Sequence, residues 1–300
     1  MMHTIDLHFQ GVAGVIACYV LESTEGLILI DPGPSSSLGA LRSGLRDLGF
    51  TLGEVRHVLL THIHLDHAGA AGNIARESGA TVYVHARGAA HLVRPERLLA
   101  SATQIYGEQM DPLWGGMPAV PEARLVTVDG GETLTLGGVR LEVLYTPGHA
   151  VHHVAWHVGD ELFCGDVAGV RLSNSQSPRA PTPPPDIDLE LWRESLERLM
   201  ALNARVVHLT HFGSYSDVQE HWRQLLANME RDAQVVRDSL ARAETSDDLT
   251  RTFVDRLEAQ LSEEGPDLAE RMRFASPAWM SVQGLTRYWG KHDARPSEDR

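Results

Sequence analysis

The sequence predicts a layered α/β fold followed by a helical C-terminal extension, and three observations carry that reading. Short apolar, β-branched runs closed by Gly, Pro or Asp turns recur up to residue 214. Segments with apolar residues at helical spacing lie between several of them, which is the pattern of strands covered by helices. Beyond Ser214 the strands stop and long amphipathic segments take over. The chain therefore divides into a catalytic domain, 1–214, and a helical extension, 215–300.

Residues 4–9, 15–21 and 26–30 read as strands, the last stopped by Asp31-Pro32-Gly33-Pro34. Leu38, Leu41, Leu45 and Leu48 predict a helix over 36–48. A buried strand follows at 55–60, then a helix at 70–78 stopped by Gly79, then a strand at 81–84. The stretch 87–122 loses its clean period and collects Tyr106, Met110, Trp114 and Met117, with a helix over 95–107; it suits a pocket wall or edge packing. Strands at 124–128, 133–136 and 139–145, parted by Gly-rich turns, predict a meander, and strands at 154–158 and 161–164 follow. Five prolines between 173 and 186 exclude a helix and predict an extended crossover. A helix at 189–202 leads into a strand at 205–209, and helices at 217–241, 246–261 and 277–289 complete the chain before a polar, frayed tail from Ala294. An apolar strand followed by Thr-His occurs twice, at Thr61-His62 and Thr210-His211, which suggests two similar halves facing one another.

Composition narrows the partners. A formal net charge of −14 with a single lysine, Lys291, argues against nucleic acid, whose binding rests on clustered Lys and Arg. No basic leader or long apolar stretch appears, so the expectation is a cytoplasmic protein with no membrane partner. Cys18 and Cys164 sit in strand-like runs and read as buried free thiols. The apolar faces of the last helices, including Trp222, Leu225, Leu226, Met229 and Val236, must pack on the catalytic domain or form a homodimer interface.

The chemistry is concentrated in Thr61-His62-Ile63-His64-Leu65-Asp66-His67, directly after Val58-Leu59-Leu60. Imidazole nitrogen and carboxylate oxygen together suit zinc, and also manganese or iron. A purely structural role accounts poorly for four such donors at the end of a buried strand, where unpaired polar groups are costly. Further donors stand at later strand ends: His149 in Thr146-Pro147-Gly148-His149, then Asp166, then His211. Seven donors exceed one tetrahedral zinc and fit two adjacent divalent cations sharing a carboxylate and a hydroxide.

These motifs, with Asp31 in Leu29-Ile30-Asp31-Pro32-Gly33, resemble the metallo-β-lactamase superfamily over residues 14–213. The resemblance implies an αββα sandwich, with His62, His64 and His149 on one metal, Asp66, His67 and His211 on the other, and Asp166 bridging. It also implies that Asp31 holds the ligand loops, with Thr61 and Thr210 placed to hydrogen-bond nearby groups. His152 and His153 follow His149 too closely to share its metals. Asp66 is the expected catalytic residue, orienting the nucleophile and passing a proton.

The expected function is a metal-dependent hydrolase in which a hydroxide bridging two metal ions, zinc by preference, cleaves an ester-like bond of a small molecule, thioester or lactone before amide. Two alternatives accompany it: a persulfide dioxygenase-like protein with one iron on His62, His149 and Asp166, and a metal-binding protein without turnover. Resemblance to acyl-homoserine lactonases is limited, because Val167-Ala168-Gly169-Val170 follows Asp166 where a tyrosine is expected; resemblance to glyoxalase II stops at the core. Pocket walls are expected from 87–122, 167–188 and 212–216, with Tyr215 as a polar substrate contact.

Overall fold

The computed structural model describes residues 1–173 and 175–293, so the tail expected to fray from Ala294 lies outside the described residues. In chain order the first half comprises β1 Met2–Asp6, β2 Ala17–Ser23, β3 Gly26–Ile30, α1 Leu38–Asp47, β4 Val55–Leu59, α2 Leu65–Ala68, α3 Ala71–Ser78 and β5 Thr81–His85. Helices α4 Ala86–Val93, α5 Glu96–Tyr106 and α6 Met110–Trp114 fill the irregular stretch, and β6 Leu125–Val128, β7 Thr133–Leu136, β8 Val139–Tyr145, β9 Val154–Val158 and β10 Glu161–Phe163 follow. After the proline-rich crossover come α7 Leu189–Ala201, β11 Val206–Leu209, β12 Gly213–Tyr215, and then α8 Val218–Ala241, α9 Ser246–Glu264, α10 Leu268–Ala275 and α11 Ala278–Asp293. The predicted strands and long helices are present within a few residues; α2, α4, α6, α10 and β12 are additions to them.

Two six-stranded mixed sheets form the middle of the molecule, ordered β1-β2-β3-β4-β5-β6 and β12-β11-β10-β9-β8-β7. Tyr19, Ile28, Ile30 and Leu59 of the first sheet meet Leu141, Val143, Trp156 and Phe163 of the second in one buried cluster. Helices pack on the outer faces through the larger apolar cluster, so the arrangement is an αββα sandwich with a helical C-terminal part. The sheets are also tied by polar bonds: Ala17 N donates to Thr210 O (2.8 Å) and Trp156 Nε1 to Leu60 O (3.2 Å).

One expectation about the strands fails. Residues 125–128 do not open the meander, because β6 pairs in parallel with β5 at the edge of the first sheet and the antiparallel run begins at β7. The turn at Asp129 and Gly130, whose backbone N–H groups donate to the Glu132 carboxylate, carries the chain from one sheet to the other. Glycine-rich turns signalled a reversal correctly, but composition does not tell which sheet receives the next strand. Cys18 and Cys164 are buried and free, as expected.

The C-terminal helices are covered within the chain. Trp222, Leu225, Met229 and Val236 are buried in the same apolar cluster as Trp192 and Leu196 of α7. The division at 214/215 falls inside β12, whose Tyr215 pairs with Val207. Among the described residues no helix is long and apolar enough to cross a membrane.

Close packing fixes α11 against the crossover. A Cβ added at Gly284 would lie 1.9 Å from the Thr182 carbonyl oxygen, whereas one added at Gly290 meets nothing within 4 Å. Gly284→Ala is therefore expected to lower unfolding stability by about 1–3 kcal/mol through forced displacement. Gly290→Ala, lying in the same helix without a clash, should be stabilising by roughly 0.5–1 kcal/mol through backbone entropy. Urea unfolding of the two variants checks the contrast.

Candidate metal centre

Each donor is delivered by the end of a strand. β4 ends before Thr61, His62 and His64 follow in extended chain, and the single turn of α2 presents Asp66 and His67 together. β8 runs into Thr146-Pro147-Gly148-His149. Gly148 is required there: its φ is +136°, and a Cβ would lie 2.3 Å from the Trp192 Cα. The turn after β10 carries Asp166, and β11 ends just before Thr210 and His211.

The seven donors converge into two groups that share a carboxylate. His62, His64, His149 and Asp166 form one group and Asp66, His67 and His211 the other, each with candidate ligand atoms within 4.8 Å of one another. In the first, His62 Nε2 lies 2.9 Å and His149 Nε2 3.1 Å from His64 Nδ1. In the second, Asp66 Oδ2 is 3.3 Å from His211 Nε2 and 3.8 Å from His67 Nε2. Asp166 reaches both, with Oδ2 at 3.3 Å from His149 Nε2 and Oδ1 at 3.3 Å from His67 Nε2. Donors bound at ~2.0–2.2 Å around one cation sit about 3 Å apart, which is the spacing found here.

The outward nitrogens of these rings are held by oxygen. His67 Nδ1 pairs with Asp31 Oδ2 (2.8 Å), His149 Nδ1 with Pro181 O (2.9 Å) and His211 Nδ1 with Val15 O (2.9 Å). An Nδ1–H donated to a carbonyl or carboxylate leaves the Nε2 lone pair facing inward. Meanwhile His67 Nε2, His211 Nε2 and Asp166 Oδ1 are buried with no hydrogen-bond partner among the described residues. Such orphans are costly unless a further group satisfies them, and a cation does so. The residues present therefore fit two divalent ions.

Charge balance differs between the groups. Burial pushes the His62 imidazole well below its ordinary pKa and, despite Asp166, that of His149 down to about 4, so both remain neutral donors. Burial also opposes charge on His67, but the carboxylates of Asp166, Asp31 and Asp66 override it and hold its pKa well above the usual value. His211 is likewise raised, by Asp166 and Asp66 against burial. Burial would raise Asp66, yet His67 and His211 bring it down to about 2. Without cations, protons on His67 and His211 offset the carboxylates, and cation binding must displace them.

His152 and His153 stay outside both groups. His153 pairs with Thr146 Oγ1 at 2.8 Å, and His152 stands in the wall of a cavity of about 440 Å³ above the donors. Asp66, His64 and Asp166 face that cavity, so the centre is open to a small molecule. Its walls correct the expectation from sequence. Residues 87–114 and 181–186 contribute, but 212–216 do not; further walls come from Phe9, Ile63, Leu65, Val151 and the stretch 273–281. Tyr215 does not reach the cavity: its hydroxyl donates to Arg171 O and its ring lies under the Arg171 guanidinium, 4.2 Å away. Phe274 and Met280 lie on amphipathic helices, where an apolar side chain reads as core whether it packs on protein or lines a cavity.

A family model of the metallo-beta-lactamase superfamily matches residues 11–211. A metallo-beta-lactamase fold-containing protein of Sulfurisphaera tokodaii is 32% identical over 222 residues, covering 72% of this chain and 80% of that protein. A hydroxyacylglutathione hydrolase of Yersinia enterocolitica is 27% identical over 139 residues, 46% of this chain and 41% of its own length. Among solved structures, a metallo-beta-lactamase family protein of Thermus thermophilus superposes with a TM-score of 0.66 at 25% identity, covering 93% of this chain and 89% of that one. The last likeness extends beyond the matched family region into the C-terminal helices.

Asp31 tests how the centre is held. Its carboxylate accepts from Thr61 N (2.8 Å) and Thr61 Oγ1 (2.7 Å), from Thr210 Oγ1 (2.8 Å) and from His67 Nδ1. Asp31→Asn replaces an acceptor oxygen by an NH₂ donor, so it should weaken cation affinity roughly 10–100-fold. The lost hydrogen bonds should cost about 1–3 kcal/mol each. Competitive chelator titration and thermal unfolding measure the two effects separately.

Proposed function

The chain belongs to the metallo-beta-lactamase superfamily, whose members are mostly metal-dependent hydrolases, and we propose that it is a binuclear metallo-hydrolase cleaving an ester-like bond of a small molecule, thioester or lactone by preference. The observation that carries this reading is Asp166, whose two oxygens stand 3.3 Å from a histidine of each donor group. Zinc suits the all-imidazole and carboxylate donor set, and manganese or iron would be tolerated by it. The likeness to hydroxyacylglutathione hydrolases over about half of this chain supports acyl chemistry on the shared core.

In this reading His62, His64 and His149 would hold one ion, Asp66, His67 and His211 the other, with Asp166 between them. Two divalent ions supply a water made acidic near neutral pH and a Lewis acid for the scissile carbonyl. The protein's own residues do the rest. Asp66 is partly exposed to the cavity while its Oδ2 is tied to His211, so it can orient the attacking water and receive its proton. Hydrolysis adds hydroxyl to the carbonyl carbon as the bond to the leaving oxygen or sulfur breaks, and the proton held at Asp66 passes to that leaving atom. A single-iron oxidase on His62, His149 and Asp166 would leave Asp66, His67 and His211 grouped without purpose, and so would a one-ion binding protein.

The test combines metal analysis with a substrate screen. Metal-stripped protein should take up two equivalents of zinc or manganese and then cleave thioesters, lactones or aryl esters. Asp66→Asn, compared at measured and equal metal content, should lower kcat roughly 10²–10⁴-fold. One equivalent of iron with oxygen uptake on a persulfide would displace the proposal, and so would turnover of phosphodiesters alone.

A further inference from the structure

The cavity over the donors is larger than a scissile carbonyl requires, and its lining is mixed, with Arg87, Arg97, Asp186 and Arg273 standing among apolar side chains. Its far walls come from two helical segments distant in sequence: Leu98, Ile105 and Tyr106 of α5 with Trp114 of α6 on one side, and Phe274 of α10 with Met280 of α11 on the other. Across the gap, the Tyr106 hydroxyl meets only the Met280 sulfur, at 3.6 Å, a weak acceptor. Trp114 is buried and its Nε1–H has no partner among the described residues. The volume, about 440 Å³, lies within the range of pockets that enclose a drug-sized ligand.

We propose that these walls bind the acyl side of the substrate as an extended apolar chain, so that the enzyme prefers medium-length acyl groups over acetyl; the inference rests on the hydrolase reading and adds the substrate class to it. A polar chain laid against the apolar side chains of these walls would exchange water for carbon and lose hydrogen bonds. An alkyl chain loses none. The position of the walls sets the polarity of binding, because His64, Asp66 and Asp166 border the same cavity, so the carbonyl end would lie at the candidate metal centre and the chain against the apolar side chains of α5, α6 and α10. Ala102, buried on α5, narrows nothing by its small side chain, and a larger residue beside it would shorten the slot.

Burying one methylene is worth about fourfold in kcat/KM when fully desolvated, the equivalent of ~0.8 kcal/mol at 1.4 kcal/mol per decade. For a thioester series with one leaving group, kcat/KM should therefore rise roughly 100-fold or more from acetyl to octanoyl, allowing for partial burial. Leu98→Trp and Met280→Trp, on opposite walls, should each reduce the octanoyl-to-acetyl ratio at least tenfold. Circular dichroism and thermal unfolding establish that each variant is folded, and either one suffices if the other is not. A second readout needs no turnover: calorimetric binding of a non-hydrolysable S-octyl thioether to metal-loaded and metal-stripped protein should be detectable and weakened at least tenfold in the same variants. A flat profile across chain length, or no thioether binding by the folded protein, overturns the inference while leaving ester hydrolysis standing. Thioether binding that the Trp variants block, without turnover of any ester, removes the hydrolase reading and with it the acyl preference, leaving only an apolar ligand site.

Discussion

The buried carboxylate of Asp31 is the constraint on which the centre depends. It is fully buried, and its oxygens accept four donors from three separate segments: the backbone and hydroxyl of Thr61 after β4, the ring of His67 on α2, and the hydroxyl of Thr210 after β11. An isolated carboxylate could not be buried at this depth, whereas one with four donors can. The consequence is positional. Thr61 and Thr210 immediately precede His62 and His211, so one side chain registers donors from both sheets against each other. The repeated Thr-His after an apolar strand thus has a physical meaning: the two threonines meet on the same oxygen.

A second set of contacts makes the helical part integral to the centre. Ser281 of α11 bonds both the backbone and the side chain of Thr182, and the neighbouring Pro181 carbonyl accepts from His149 Nδ1. On the opposite side, the turn bearing Asp166 is braced through the two residues after it: Trp192 Nε1 donates to Val167 O, and His221 of α8 to Ala168 O, both at 2.8 Å. The C-terminal helices therefore orient one ligand histidine, support the shared carboxylate and complete the cavity. The family match over residues 11–211 takes in the donors, Pro181 and Trp192 but leaves out Ser281 and His221.

How much was legible beforehand follows from the kind of signal each feature leaves. The seven donors were readable because a metal demands specific side chains at strand ends, and the structure brings all seven together. Asp31, Thr61 and Thr210 were readable through the family resemblance and the repeated motif. The acceptors that fix the rings of His149 and His211 are backbone carbonyls, of Pro181 and Val15, which any residue supplies and no sequence marks. The sheet assignment of β6 escaped for a similar reason, since strand composition is the same in either sheet. Tyr215 was nominated by its closeness to His211 in sequence, but the short antiparallel β11–β12 pairing turns it toward Arg171. Walls made by Phe274 and Met280 escaped because amphipathic periodicity reports burial without saying whether protein or ligand does the burying.

The electrostatics of the centre connect these observations to function. Asp66 and Asp166 place two carboxylates beside the donor rings, and burial alone would push both toward their protonated forms. The neighbouring imidazoles prevent that: His67 and His211 keep their protons, while burial leaves the His62 and His149 rings neutral. One donor group is thus biased toward neutral imidazoles and the other toward charged ones. These donors border a cavity whose far side carries Leu98 and Trp114 opposite Phe274 and Met280. In the proposed function the carbonyl of an acyl chain would lie at the donor end of that cavity, with the chain against the apolar side chains beyond it.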